Sequence, residues 1–101
     1  MVLTAVSAIV APDREADLVA GFEELLRHSL PDGLLRTELL KGTGGVWRVE
    51  SLWRDRGALD AMRAAHELPA APALFRSIDA EPFVDVYEVA ADTSDMQPGS
   101  G

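Results

Sequence analysis

The stretch Gly42-Thr-Gly-Gly-Val-Trp-Arg-Val-Glu-Ser-Leu-Trp-Arg-Asp55 constrains this chain more than any other. A short glycine-rich turn feeds a run with strand character, and Asp55 then opens a helix. Such a turn between two apolar runs suits a hairpin, so Leu34 to Lys41 and Val46 to Trp53 are expected to pair. The period of two places Trp47, Val49, Ser51 and Trp53 on one face and Val46, Arg48, Glu50 and Leu52 on the other. The two Trp residues lie roughly 20 Å apart at a rise of ~3.3 Å per residue, so one small ligand cannot touch both.

The elements on either side follow from periodicity. Residues 2–10 are apolar and β-branched with little polar alternation, which reads as a central strand closed by Pro12. Asp13 looks like an N-cap or first-turn acid. Leu18, Val19, Phe22, Leu25 and Leu26 then recur at helical spacing, predicting a helix over about 13–29 that Pro31-Asp32-Gly33 breaks. After Asp55, Leu59, Met62, Ala65 and His66 form the stripe of a second helix. Pro69 and Pro72 interrupt it, and a short third helix is expected around 70–78 with Leu74, Phe75 and Ile78 inward. Phe83 to Ala90 reads as the fourth strand.

The order is therefore β-α-β-β-α-β, an α+β ferredoxin-like fold. Right-handed crossovers put the helices on one face of a four-stranded antiparallel sheet. The domain is expected over residues 1–90, with 91–101 a flexible acidic tail. In the fourth strand, Phe83, Asp85, Tyr87 and Val89 alternate with Val84, Val86 and Glu88, so both faces are partly apolar. A chain of 101 residues has no second layer for the bare face. The economical cover is a second subunit, sheet against sheet, which predicts a homodimer.

Seventeen acidic against nine basic residues give a net charge of −8, a surface that repels phosphate backbones and anionic membranes. Nucleic-acid and membrane partners are not expected. The apolar N-terminus lacks a basic leader and runs into Pro12-Asp13, so it reads as a strand and not a targeting segment. The chain has no Cys, which removes disulfides and thiolate sites and suits the cytoplasm.

Candidate chemistry is sparse. His28 and His66 are the only histidines and show no metal-ligand spacing, so no metal is expected. His28 falls near the end of the first helix, where a cation is favourable. His66, near the end of the second, is open to either packing or proton transfer. Gly42-Thr-Gly-Gly45 lacks the Lys-Ser/Thr of a phosphate loop and leads into a strand. Both Trp residues are open to core packing. Alternatively, one walls an apolar pocket between sheet and helices, with His66, Met62 or Tyr87 nearby.

At this point the chain resembles the antibiotic-biosynthesis-monooxygenase group of the dimeric α/β-barrel superfamily, over about residues 3–90. The residues that carry the resemblance are Val6-Ser-Ala-Ile-Val-Ala-Pro12, the turn Leu30-Pro-Asp-Gly-Leu34, and above all the junction Trp53-Arg-Asp-Arg-Gly-Ala-Leu59. The resemblance implies a homodimer with a pocket between sheet and helices in each subunit. Some members oxidise aromatic polyketide intermediates to quinones with O₂ and without metal, flavin or haem; others cleave haem.

The resemblance implies the following for individual residues. Trp53 matches a pocket Trp of the quinone-forming members, whose nearby Asn and Tyr fall at about Val49 and Leu59. The Asn, Trp and His of haem-degrading members fall at about Ser7, Met62 and Ala71 or Pro72, and this chain contains no Asn. The expected site has Trp53 and His66 as catalytic residues. Trp53, Met62, Tyr87, Arg48, Ser7 and Phe75 are the expected substrate contacts, and no cofactor is expected. The expected function is a cofactor-independent monooxygenase of a phenolic or polycyclic aromatic molecule. The alternative is a non-enzymatic dimer that binds a small apolar ligand, with haem degradation a minor third.

Overall fold

A computed structural model describes residues 1–66 and 69–93. Its elements are β1 (Val2–Ile9), α1 (Glu15–Leu26), β2 (Leu34–Lys41), β3 (Val46–Trp53), α2 (Arg56–Ala65), α3 (Ala70–Arg76) and β4 (Phe83–Glu88). The strands form one antiparallel sheet in the order β2-β3-β1-β4, with the helices on one face, which is the ferredoxin-like topology. β1 is central, as its unbroken apolar run requires.

The β2–β3 turn works because Gly44 and Gly45 sit at φ 68° and 81°, a conformation that side chains disfavour. Register then settles the faces. Val2, Thr4, Val6 and Ala8 of β1 stand opposite Trp53, Ser51, Val49 and Trp47 of β3, and all eight are buried under the helices. On β4, Val84 and Val86 pair with Val6 and Thr4 and so share that face.

The core divides in two. One cluster gathers Val6, Leu18, Phe22, Trp47, Leu74, Phe75 and Ile78 between the sheet, α1 and α3. The other gathers Val2, Trp53, Ala58 and Leu59 beneath α2, with Leu34, Met62 and Val86 packed against it. Among the described residues no layer covers the opposite sheet face. Ile9 is 72% exposed there, Phe83 70% and Tyr87 52%.

Three boundaries differ from expectation. The first helix begins at Glu15 and not near 13, because Pro12–Arg14 forms a 3-10 turn, and Asp13 makes no side-chain capping bond. It ends at Leu26, which leaves His28 in the following turn. β4 stops at Glu88, two residues early; Val89 N–H still donates to the Met1 carbonyl at 2.9 Å. Of the expected tail, residues 94–101 lie outside the described residues.

Candidate functional site

The gap between the two core clusters is a cavity of about 500 Å³. It exists because the middle of the sheet presents short side chains. Thr37, Ser51 and Thr4 form one cross-strand row, and Val49, Val6 and Val84 the next. Trp53 and Leu59 wall one end and Phe22 and Leu25 the other. The turn after α1 and the segment after α2 form the mouth, with His28, Leu30, His66 and Pro69 lining it.

Asp55 fixes the α2 side of this wall. Its Oδ1 accepts from the Ala58 backbone N–H at 2.8 Å, a standard N-cap bond that starts the helix carrying Leu59, Met62 and Arg63. That bond, and then the Arg54 guanidinium at 3.2 Å, hold the Asp55 carboxyl below the usual carboxylate range. Gly33 packs against the same turn. Its φ is 83°, and a Cβ there would lie 2.4 Å from Ala58 Cβ.

The electrostatics of the cavity oppose those of the whole chain. Among the described residues no Asp or Glu lines it, whereas Arg63, Arg76, His28 and His66 do. Arg76 is paired with Glu81 at 3.4 Å, and His28 Nε2 lies 3.3 Å from Glu24. Arg63 has no ion-pair partner among the described residues.

The polar groups on the floor are few and mostly satisfied. Trp53 Nε1 donates to Thr4 Oγ1 at 3.1 Å, and Thr4 Oγ1 lies 3.5 Å from the Ser51 carbonyl as its donor. The Thr37 and Ser51 hydroxyls are 3.0 Å apart.

Of the residues expected from sequence, Trp53, Met62 and His66 line this one cavity. The other four do not. Arg48, Ser7 and Tyr87 lie on the far face of the sheet, as the pairings Ser7↔Arg48 and Leu3↔Tyr87 require. Arg48 there lies 3.7 Å from Glu50. Phe75 has no exposed surface and belongs to the α1–α3 core, so it cannot meet a ligand in this cavity. Trp47 is core as well, with its indole N–H on Glu15.

Sequence reasoning missed Thr4, Thr37, Arg63 and His28 as cavity residues. Arg63 follows Met62 directly and is one helical turn from Leu59, a signal that was present. His28 lies beyond a helix end that falls earlier than the periodicity predicts.

The family model described as antibiotic biosynthesis monooxygenase matches residues 1–72, well over half of the chain. The chain belongs to the antibiotic biosynthesis monooxygenase family. No curated protein matches it. Among solved structures, it is similar to a Deinococcus radiodurans protein provisionally assigned to the same family. The TM-score is 0.71 at 16% identity, over 91% of this chain and 95% of that one. It is also similar to Rv0793 of Mycobacterium tuberculosis, with TM-score 0.67, 20% identity, and 90% and 96% covered. A third is a variant of SnoaB, a cofactor-independent oxygenase from Streptomyces nogalater, with TM-score 0.63, 20% identity, and 90% and 94% covered. At these identities the likeness shows the shared fold.

Within the antibiotic biosynthesis monooxygenase family, the positions singled out by resemblance fall unevenly in this fold. Val49 and Leu59 both line the cavity and are apolar. Of the haem-linked positions, Met62, Ala71 and Pro72 line it, but Ser7 faces away, so they do not converge on one space. Among the described residues no group of three or more His, Asp or Glu is placed to hold a metal ion. No helix among them is long and apolar enough to cross a membrane.

Proposed function

We propose that the chain is a cofactor-independent monooxygenase that oxidises a flat phenolic or polycyclic aromatic molecule with O₂ and works as a homodimer. The observation that carries this reading is the cavity. It is apolar, walled by Trp53, lined by no carboxylate among the described residues, and edged by His66 and Arg63. A flat aromatic ring gains burial and ring contact against an indole. A phenolate or enolate in that space meets the Arg63 guanidinium and, among the described residues, no carboxylate, which favours the ionised, electron-rich form.

In this reading, His66 takes the first proton from the substrate and the electron pair left on the ring carbon goes to O₂. For a ring CH₂ flanked by arenes, one oxygen atom becomes the new carbonyl. The other leaves as water with the two ring hydrogens, so O₂ is both oxidant and oxygen source. The cavity holds the anion beside O₂ away from bulk water. The test is O₂ uptake with anthrone-like and hydroquinone substrates. Uptake that is lost in folded Trp53→Ala and His66→Ala proteins supports the reading; no enzyme-dependent uptake across the panel sinks it.

One observation favours a second reading, a dimeric ligand-binding protein without turnover. Val49 and Leu59 place apolar side chains where the resemblance implies polar groups in quinone-forming members. Tight binding of aromatic ligands with no O₂ consumption would select it. Haem titration separates the minor third reading, which requires a Soret shift.

The homodimer in this proposal is supported by the exposed Phe83, Tyr87 and Ile9 on the uncovered sheet face. Burying such a face against a copy of itself is an isologous contact.

A further inference from the structure

The cavity floor is apolar except for one line. Thr37 pairs with Ser51, and Ser51 pairs with Thr4, so three hydroxyls from β2, β3 and β1 stand side by side across the sheet. All three line the cavity. Thr4 and Ser51 are buried, with 7% and 9% of their surface exposed. A row of hydroxyls on an otherwise Val-, Leu- and Phe-lined surface is costly to bury unless each finds a partner.

The row has one hydroxyl proton left over. Thr4 Oγ1 accepts from Trp53 Nε1 and donates toward the Ser51 carbonyl, so its one proton is used. Thr37 and Ser51 share one bond at 3.0 Å, in which either is the donor. Two hydroxyls carry two protons. One lies in the shared bond; the other has no acceptor among the described residues. The free donor therefore belongs to the Thr37–Ser51 pair. Trp53 is fixed on the same row through Thr4, so the ring wall and the free donor are set in one rigid frame.

We infer that the Thr37–Ser51 hydroxyl pair is a specificity-determining oxygen site. It donates to a single carbonyl or phenolate oxygen of an aromatic ligand whose ring lies against Trp53. This rests on the aromatic-pocket reading above and deepens it. The ligand it selects is a flat ring system with one oxygen substituent buried at the sheet, not the bare hydrocarbon. The pair is a positioning device: it orients the ring without touching the carbon that reacts. A buried donor left unpaired by the wrong ligand also penalises that ligand, so discrimination comes from both sides.

The test uses two probes of nearly equal shape, 1-naphthol and naphthalene, with binding measured by equilibrium dialysis. The proteins are the full chain and the double variant Thr37→Val with Ser51→Ala. Thr4 is kept because Trp53 depends on it. Circular dichroism and thermal unfolding check that the variant folds.

The intact protein is expected to favour 1-naphthol by roughly tenfold, the value of about one buried hydrogen bond. The variant is expected to lose that preference while its affinity for naphthalene stays the same or rises. Equal binding of the two probes by the intact protein overturns the oxygen site and leaves the aromatic pocket standing. So does a preference that survives in the folded variant. Failure of both probes to bind the intact protein overturns the pocket reading and the oxygen site with it. If the variant does not fold, 1-naphthaldehyde on the intact protein replaces it, because its oxygen accepts and carries no proton of its own. It is expected to bind more tightly than naphthalene, and equal binding of the two overturns the donor site.

Discussion

The indole Nε1 of Trp47 donates to Oε2 of Glu15 at 3.0 Å, joining the hairpin end of β3 to the first turn of α1. Lys41 completes the group, with its ammonium 3.3 Å from Glu15 and 5.5 Å from the centre of the Trp47 ring. The indole bond first, and Lys41 after it, lower the Glu15 carboxyl below the usual glutamate range. A depressed pKa stabilises the fold above the unfolded value of about 4.3 and ceases to do so as pH falls through the folded value. Stability is therefore expected to drop as pH falls below the unfolded value and through the lower folded one. Glu15→Gln keeps an acceptor for the indole but not the charge. Its melting temperature should fall less steeply over that window, and parallel curves for the two proteins would contradict the assignment.

Asp55 starts the helix that forms one wall of the cavity. Asp55→Ala removes the acceptor for the Ala58 N–H and should lower the melting temperature. Asp55→Asn, which can still cap, should recover most of the loss. Because Leu59 and Met62 ride on this helix, Asp55→Ala should also weaken aromatic-ligand binding in dialysis. Unchanged binding would mean that packing alone holds α2.

Phe75 tests where the core ends and the site begins. Phe75→Ala should cost about 3–5 kcal/mol in urea unfolding, because the ring is fully buried and a cavity replaces it. Met62→Ala should cost less, since Met62 is half-buried and already borders empty space. Its larger effect should be on ligand affinity. The reverse ordering of stability losses would place the cavity wrongly.

Gly33 is expected to tolerate no side chain. Its positive φ and the 2.4 Å approach to Ala58 Cβ act together, so Gly33→Ala should destabilise by about 2 kcal/mol. Chemical denaturation measures this, and a neutral result would show that the turn relaxes freely.

The exposed sheet face gives the assembly prediction. Light scattering at micromolar concentration should give twice the mass of one chain. Phe83→Asp combined with Tyr87→Lys should return it to a monomer that keeps its secondary structure. A monomer for the unaltered chain would remove the dimer from the proposal.

Most of the fold was legible because its signals are local. The glycine turn, the alternation from Val46 to Trp53 and the Asp55 cap need no distant partner, and β2 and β3 fall on their expected bounds. The lining of the candidate cavity was legible only where one element carried it. Trp53, Met62 and His66 follow from a strand face and a helix stripe. Tyr87 and Ser7 required knowing which face of β4 and β1 meets the helices, and both strands have apolar residues on each side. Arg48 was already opposite Trp53 by alternation, so placing it with the substrate set aside the strand's own pattern. The mouth is built from segments after α1 and after α2, where periodicity says nothing.

The division of the core around the cavity also gives the molecule two optical channels. The chain has two Trp residues, one sealed in the α1–α3 cluster and one facing the cavity. With Trp53 changed to Phe, the remaining emission comes from Trp47 and follows global unfolding. With Trp47 changed to Phe, it comes from Trp53 and follows what enters the pocket. Occupancy and folding can then be watched separately in one small protein, with no dye attached.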